Sequence, residues 1–249
     1  MIARDDITIV IPSRYASTRF PGKPLADIAG KPMVQRVFER CARSRLAGAV
    51  IVATDDERIA EAVRGFGGLA EMTPSELASG TERMAWVAAR RQGRIFVNVQ
   101  GDEPLIDPAA IDAAIAPLLA DEDIDIGTVA SRMTDDAEFS NPNIVKIALT
   151  VSGRALYFSR AGIPHPRDGA DSAGRAQRYR HAGLYAYRRE ALERFAALSP
   201  SPLERIEMLE QLRALEAGMH IHVAIVDADS PAVDVPSDID IVLARLHPS

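Results

Sequence analysis

Short apolar runs alternate with longer segments of helical period along the first half of the chain. Three runs are rich in β-branched residues and almost wholly apolar, which is typical of strands covered on both faces; they are Ile7 to Ile11, Ala49 to Ala53 and Ile95 to Val99. The periodic segments predict helices at Pro32 to Arg43, Glu57 to Phe66, Thr81 to Arg91 and Pro108 to Leu119. Because strands and helices alternate, the pattern predicts right-handed βαβ units and a parallel sheet.

The second half of the chain has a less regular pattern. It predicts strands at Ile126 to Ser131, Val145 to Leu149, Gly183 to Tyr187 and Ile221 to Val226, and helices at Leu203 to Leu215 and Ser237 to Leu246. The segment from Arg160 to Arg180 has two prolines and three glycines without a clear period, which predicts a long surface loop. Since nothing resembles a linker, we expect a single α/β domain over residues 1–249, with a sheet extension at roughly 126–215.

The composition is that of an ordinary globular protein, with 47% hydrophobic and 26% charged residues. The 29 Lys and Arg against 35 Asp and Glu give a net charge of -6, which argues against nucleic acid as a partner. A single cysteine, Cys41, excludes an intrachain disulfide and suits a reducing compartment. No apolar stretch approaches the roughly 18 residues of a membrane span. We therefore expect a soluble, cytoplasmic protein without membrane insertion.

The segment after the first predicted strand carries a cluster of cations. Arg14, Arg19 and Lys23 lie within ten residues, together with hydroxyl groups and Gly22. Ligands of open parallel sheets bind at the carboxyl ends of the strands, and guanidinium and ammonium groups suit a polyanion such as a triphosphate. The spacing of a Walker A loop is absent. A solvated basic loop is the alternative from charge alone, and the position after a strand favours ligand binding.

Two aspartates are candidate metal ligands. Asp102 follows the buried strand that ends near Val99, in the run QGDEP, where a turn that merely ends the strand is the alternative. Magnesium takes oxygen ligands, usually one or two carboxylates together with substrate phosphates. Asp234 precedes the last predicted helix, so it could equally serve as a helix cap.

The second half of the chain offers further candidates with equally plausible structural roles. On the predicted helix, Glu207 lies on the polar face, whereas Glu210 falls on the apolar side. Glu210 therefore either reaches into a site or pairs with Arg213. His181, which is close to Tyr185, could be structural or could contact an acidic polyol.

Together these motifs resemble the 3-deoxy-manno-octulosonate (KDO) cytidylyltransferases, or CMP-KDO synthetases, over essentially the whole chain. The matching runs are RYASTRFPGKPL, SGTER, VNVQGDEP, ALYFSRAGIP and SPLERIEMLEQLR. The resemblance implies a Rossmann-like nucleotidyltransferase fold, a mostly parallel sheet flanked by helices, with a small sheet extension for sugar binding and dimerisation. It also implies a homodimer that converts CTP and KDO into CMP-KDO and pyrophosphate for lipopolysaccharide synthesis, with Mg²⁺ as the cofactor.

The resemblance assigns roles residue by residue. The nucleotide is expected to meet Arg14, Arg19, Lys23, Ser79, Gly80, Thr81 and Arg83. The metal is expected at Asp102 and Asp234, and Arg14, Lys23 and Asp102 are expected to be catalytic. The sugar is expected to meet Gln100, Arg160, His181, Tyr185, Glu207 and Glu210.

Three departures from the family pattern concern the candidate site. The approach to Asp234 lacks the two glycines that are common in the family. Ser13 and Phe20 stand where alanine and leucine are usual. Two alternatives to a KDO-activating enzyme remain: a cytidylyltransferase for another acidic sugar, such as 8-amino-KDO or a sialic acid, and a catalytically silent nucleotide-binding homologue.

Overall fold

The computed structural model describes residues 2–16, 19–167, 177–227 and 230–246. The chain divides into two compact units, the first of Met1–Asp112 with Asp229–Ser249 and the second of Ala113–Ala228. Each unit contains its own set of paired strands and is described by itself. The single domain expected from the sequence stays a prediction.

A parallel sheet forms the centre of the first unit. Strand β1 (Ile7–Ser13) pairs with β4 (Ala49–Thr54) on one side and with β6 (Ile95–Asn98) on the other, and β4 pairs with β5 (Leu69–Met72). The side chains of β1 and β6 are almost entirely buried, as their apolar runs predict. Three predicted strands are therefore confirmed. Strand β5 was not predicted, because it is short and its side chains are only partly buried.

Three helices of the first unit follow the predicted segments closely. Helix α1 (Met33–Cys41) and helix α3 (Gly80–Ala88) pack against β1, and α2 (Glu57–Gly65) packs against β4 and β5. Asp56 and Ser79 cap α2 and α3 by accepting backbone N–H bonds in their first turns.

Smaller elements complete the first unit. Strands β2 (Asp27–Ile28) and β3 (Lys31–Pro32) form a short antiparallel pair. The last helix, α9 (Asp238–Leu246), contributes Val242 to an apolar cluster with Ile28, Met33 and Val233. This packing holds the chain just before α9 beside the segment that follows β1.

The second unit is built on a mixed sheet. Its strand β7 (Ile126–Arg132) pairs in parallel with β11 (Ile221–Ile225) and antiparallel with β10 (Tyr179–Arg188). Strand β8 (Lys146–Leu149) pairs antiparallel with both β10 and β9 (Ala155–Ser159). A β-bulge interrupts β10 between Ala182 and Tyr185. The four predicted strands are confirmed, whereas β9 was not predicted.

Among the described residues, five helices lie in or beside the second unit. They are α4 (Pro108–Ala120), within which the boundary between the units falls, α5 (Asp136–Ser140), α6 (Arg189–Ala196), α7 (Pro202–Glu207) and α8 (Gln211–Glu216). Helix α4 confirms the predicted segment, whereas α5 and α6 were not predicted. The predicted loop from Arg160 to Arg180 is described only in part, since residues 168–176 lie outside the described ranges and β10 begins at Tyr179.

The prediction of one continuous helix from Leu203 to Leu215 is wrong. Met208 has a left-handed backbone (φ 54°) and ends α7. The guanidinium of Arg160 donates to the carbonyl oxygens of Glu207 (2.8 Å) and Met208 (3.4 Å), which a continuous helix would use for its own hydrogen bonds. The side chain of a distant residue therefore satisfies the carbonyl groups at the break.

Across the described ranges, no helix is both long and apolar enough to cross a membrane.

We predict that Gly127→Ala destabilises the protein by about 1–3 kcal/mol. Gly127 lies in β7, and a Cβ atom there would come within 2.0 Å of the Ala114 carbonyl oxygen in α4. Urea unfolding of the variant measures the loss. Gly65→Ala is the matched control, because a Cβ at Gly65 meets no atom within 4 Å. This control should be neutral or more stable by about 0.5–1 kcal/mol. Equal midpoints for Gly127→Ala and the parent would contradict the prediction.

Candidate active site

A cavity of about 330 Å³ opens at the carboxyl ends of β1 and β6. Its walls come from the end of β1, the segment after it, and the turn that follows β6; the lining residues are Pro12, Ser13, Arg14, Ala16, Arg19, Lys23, Pro24, Gln100, Gly101 and Asp102. The three cations that the sequence singled out therefore lie around one cavity, together with Gln100 and Asp102. This is the edge at which open parallel sheets bind ligands.

Lys23 lies beside two aspartates. Its ammonium group donates to Asp102 Oδ2 at 2.7 Å and to the Val233 carbonyl oxygen at 2.9 Å, and it lies 4.0 Å from Asp234 Oδ1. The backbone of Val233 also donates to the carbonyl oxygen of Asp102 at 2.9 Å. Gly22, with φ 72°, provides the left-handed turn that leads into Lys23. Both candidate metal ligands are thus held near one cationic position.

The carboxylate of Asp234 faces cations. Asp234 Oδ1 forms a salt bridge of 3.0 Å with Arg19 Nη2. The backbone N–H groups of Asp234 and Val235 donate to Asp238 Oδ2 at 2.8 and 2.9 Å, so Asp238 orders the entry to α9. The Asp234 side chain thus pairs with Arg19 while Asp238 makes the contacts at the start of α9, and the metal-binding role of Asp234 stays a prediction.

Gly101 allows the turn after β6 to approach β1. A Cβ atom at Gly101 would lie 2.7 Å from the Pro12 carbonyl oxygen and 3.0 Å from Ser13 Oγ. Glu103, which follows Asp102, is buried, and burial together with the charge of Asp102 raises its pKa to about 7. Close packing therefore holds Asp102 at the cavity, whereas the adjacent Glu103 side chain lies in the protein interior.

The SGTER segment lies next to the same strand end. The guanidinium of Arg14 donates to the Ala78 carbonyl oxygen. Ser79 Oγ caps α3, and a Cβ atom at Gly80 would lie 3.2 Å from Pro12 Cγ. These contacts bring the SGTER segment, which is expected to meet the nucleotide, beside the cation-bearing segment.

Arg83 and Thr81 have buried side chains. The Arg83 guanidinium forms a salt bridge of 2.5 Å with Asp55 and donates to Thr73 Oγ1. Arg83 is 0% exposed and Thr81 is 5% exposed. Arg83 thus anchors α3 to the ends of β4 and β5, and the nucleotide-binding roles of Thr81 and Arg83 stay predictions.

In the second unit, Glu207 is held by a set of hydrogen bonds. It accepts from Ser159 Oγ at 2.7 Å, from the Arg160 backbone N–H at 2.9 Å and from the Tyr157 hydroxyl at 3.4 Å. Burial alone would raise the pKa of Glu207, but these donors hold it below its usual value. Glu207 is therefore ionised at neutral pH and fixed beside Arg160.

Lys146 is a charged residue of this cluster that the sequence reasoning missed. Its side chain is 0% exposed, and its ammonium group donates to the carbonyl oxygens of Asn141 (2.7 Å), Ile144 (2.7 Å) and Arg160 (2.6 Å). Three donors are all that an ammonium has. Lys146 thereby fixes the backbone of Arg160. The sequence feature that could have identified Lys146 is its position within the apolar run of β8.

His181 and Tyr185 lie on the two sides of the bulge in β10, with ring centroids 5.2 Å apart. Nε2 of His181 lies 3.0 Å from Thr128 Oγ1, which donates its own proton to the Leu184 carbonyl oxygen, so Nε2 is the donor of this pair. Although His181 is partly accessible, burial of its imidazole lowers its pKa to about 3. Burial also raises the pKa of Tyr185 well above its usual value, so both rings are neutral.

Glu210 has a loose contact with Arg213. The carboxylate lies 3.9 Å from Arg213 Nη2, whereas Arg213 makes bonds of 2.5 and 2.7 Å to Glu204. The predicted Arg213 pair is therefore present, but Arg213 is engaged mainly by Glu204. Glu210 keeps 35% of its side chain exposed, which is compatible with contact to a ligand.

Within each unit, the structure thus brings candidate residues together. In the first unit, Arg14, Arg19, Lys23, Gln100, Asp102 and Asp234 surround or adjoin the cavity. In the second unit, Arg160 is joined to Glu207, and His181 to Tyr185. Within the described residues, no three His, Cys, Asp or Glu side chains are grouped to hold a metal ion by themselves.

We predict that His181 makes the protein less stable in mild acid. The folded-state pKa of about 3 lies below the ordinary 6.5, so the unfolded state binds more protons between these values. Stability is therefore lost as the pH falls below 6.5, by up to about 1.4 kcal/mol per pH unit.

Urea unfolding at several pH values between about 5 and 8 checks this, because the slope below 6.5 should become shallower in His181→Asn. The free energy of unfolding of each protein is compared across pH values, so a constant loss of stability caused by the substitution does not affect the slope. The same slope in both proteins would rule out the assignment.

Comparisons with known proteins identify the family of this chain. The sequence model of the family described as Cytidylyltransferase matches residues 8–221. The 3-deoxy-manno-octulosonate cytidylyltransferase of Geobacter metallireducens is 55% identical over 247 residues, covering 96% of this chain and 97% of that protein. The protein of the same name from Geobacter sulfurreducens is 53% identical over 248 residues, covering 97% and 99%.

Solved structures share the fold. A CMP:2-keto-3-deoxy-manno-octonic acid synthetase complexed with CTP superposes with a TM-score of 0.92 at 41% identity, covering 97% of this chain and 98% of that one. A cytidylyltransferase from Leptospira borgpetersenii, at 16% identity and a TM-score of 0.65, shares the fold alone and covers 98% and 89%. The predicted α/β nucleotidyltransferase fold is confirmed. The chain belongs to the cytidylyltransferase family, and within it to the 3-deoxy-manno-octulosonate cytidylyltransferases.

Proposed function

We propose that this chain transfers a cytidylyl group from CTP to KDO and releases pyrophosphate, which activates the sugar acid for lipopolysaccharide assembly in the cytoplasm. The observation that carries the proposal is the cavity at the ends of β1 and β6, where Lys23 lies between Asp102 and Asp234. Relatives at 53–55% identity bear the name of this activity, and the structural neighbour at 41% identity is a complex with CTP.

The cations of the cavity are suited to the triphosphate. Arg14 and Arg19 can each offer paired N–H donors to phosphate oxygens, and Lys23 adds a compact positive charge. The pyrophosphate that leaves carries the charge that these groups neutralise. We therefore assign triphosphate binding and leaving-group stabilisation to the segment after β1.

Within the second unit, sugar recognition is assigned to five residues, Arg160, His181, Tyr185, Glu207 and Glu210, and the sugar contact expected of Gln100 stays a prediction. An ionised Glu207 accepts hydrogen bonds from sugar hydroxyls, and the neutral rings of His181 and Tyr185 suit a polyol. Arg160 supplies positive charge for the sugar carboxylate. The cluster thus has the groups that an acidic polyol requires.

The residues present fit a magnesium ion. Asp102 and Asp234 offer carboxylate oxygens near the position of the Lys23 ammonium, which shows that this place accommodates a positive charge. Two carboxylates completed by phosphate oxygens are a usual magnesium environment. When bound, the ion would neutralise phosphate charge and lower the pKa of a coordinated hydroxyl.

The reaction is an in-line displacement at the α-phosphorus of CTP. The anomeric hydroxyl of KDO attacks the phosphorus, the bond to the β-phosphate breaks, and pyrophosphate leaves. Such a transfer depends on positioning and on charge neutralisation more than on covalent help. The chain supplies the positioning through the fixed clusters around Lys23 and Glu207.

We predict that the protein releases pyrophosphate when it is given CTP, KDO and Mg²⁺. Asp102→Asn should lower the turnover by about 100-fold or more, because it removes a charge from the site that Lys23 and the metal share. A coupled pyrophosphate assay measures the rate, and circular dichroism verifies that the variant is folded.

Asp27→Asn is the matched control, since Asp27 is exposed and its carboxylate accepts a turn bond from the Gly30 N–H at 3.1 Å. The control should keep the parent rate. No pyrophosphate release from the parent with KDO would reject the function. Parent-like turnover in Asp102→Asn would reject the role of Asp102.

We also propose that the chain forms a homodimer. The second unit exposes several large apolar side chains, including Leu156 (58%), Ile206 (77%) and Met208 (75%). Exposed apolar side chains of this size favour association with a partner when they are contiguous. Light scattering should therefore give twice the 26.9 kDa of one chain. A mass of one chain at working concentrations would reject the dimer.

A further inference from the structure

The hydroxyl group of Ser13 is buried and lacks a hydrogen-bond partner among the described residues. Ser13 is the last residue of β1 and is only 2% exposed, and its Oγ atom is among the buried polar atoms left without a partner. Buried polar groups in native structures are nearly always hydrogen-bonded, because an unpaired one destabilises the fold. The position of this hydroxyl therefore needs an explanation.

Two other buried hydroxyl groups, those of Ser44 and Thr128, have hydrogen-bond partners. Ser44 is 3% exposed; its Oγ donates to Asp112 Oδ1 at 2.6 Å and accepts from the Ala47 backbone N–H at 3.1 Å. Thr128 is 0% exposed and donates to the Leu184 carbonyl oxygen at 2.6 Å. The fold thus provides hydrogen-bond partners for these two hydroxyl groups, which are buried to a similar extent as Ser13. Ser13 differs from them in its position in the fold.

That place is the wall of the cation-lined cavity. Ser13 contributes to the same cavity of about 330 Å³ as Arg14, Arg19 and Lys23. Its Oγ atom lies close to Gly101, another residue of the cavity wall, since a Cβ atom at Gly101 would lie 3.0 Å from it. A hydroxyl can rotate to donate one hydrogen bond, and phosphate oxygens accept hydrogen bonds. A phosphate oxygen, which these cations attract, could therefore be the hydrogen-bond partner that Ser13 Oγ lacks.

We propose that Ser13 Oγ donates a hydrogen bond to a phosphate oxygen of the bound nucleotide, which makes Ser13 a nucleotide-binding residue. The inference rests on the proposed function, since it requires the cavity to take a triphosphate. The free protein then carries an unpaired hydroxyl that the ligand satisfies. Ser13 contributes to nucleotide affinity and does not contribute a hydrogen bond to the stability of the free fold.

Ser13→Ala separates these two properties, since it removes the hydroxyl and leaves the strand intact. Titration calorimetry should give about 10-fold weaker CTP binding, the effect of one hydrogen bond to a charged group. Urea unfolding of the free variant should give a midpoint equal to or above that of the parent. Binding of cytidine, which has no phosphate, should be the same in both proteins.

Ser44→Ala is the matched control, because it deletes a buried hydroxyl that has partners in the same unit. This variant should unfold at lower urea while its affinity for CTP stays at the parent value. The two serine variants are therefore expected to show opposite patterns of stability and binding.

Three outcomes would overturn the assignment of Ser13. They are unchanged CTP affinity in Ser13→Ala, an equal loss of affinity for cytidine, and an unfolding midpoint below that of the parent. A parent protein that does not bind CTP would instead reject the proposed function. Parent binding with an unchanged Ser13→Ala would reject the role of Ser13 alone.

Discussion

The ammonium group of Lys23 joins three segments that are far apart in the sequence: the segment after β1, the turn after β6 and the approach to α9. Only 15% of the Lys23 side chain is exposed, so its pairing with Asp102 is less screened than a surface salt bridge. Removing Lys23 would leave Asp102 partly buried without this partner, whereas removing Asp102 would leave Lys23 with the Val233 carbonyl and the more distant Asp234. The geometry of the cavity therefore depends on this cation and its two carboxylates.

The same pairing explains why a triphosphate needs more than the side chains of the cavity. Arg19 and Lys23 are already matched by Asp234 and Asp102, which leaves Arg14 as the surplus cation. A triphosphate carries more negative charge than one arginine can neutralise. A divalent cation on the two aspartates would offset this deficit and free Lys23 for the phosphates. The proposed need for magnesium thus has an electrostatic origin.

The sequence predicts the first unit better than the second, for physical reasons. Buried parallel strands such as β1 and β6 need unbroken apolar runs, and the cations after β1 lie at the edge where ligands bind. The break at Met208 was not predictable from local pattern, because it depends on hydrogen bonds from Arg160, 47 or 48 residues away in the sequence. Likewise, Asp234 could be separated from a helix cap only once its contact with Arg19 was known.

Two cations of the second unit, Lys146 and Arg160, are held in a different way, through neutral acceptors. The guanidinium of Arg160 donates to the carbonyl oxygens of Pro142, Glu207 and Met208, and Lys146 donates to three further carbonyl oxygens. The carbonyl groups hold the side chains of Arg160 and Lys146 in place without neutralising their positive charges. The carboxylate of Glu207 neutralises one of these two charges. The cluster therefore keeps a surplus positive charge, as the cavity does around Arg14. A chain of net charge -6 can thus present local positive charge to two anionic substrates.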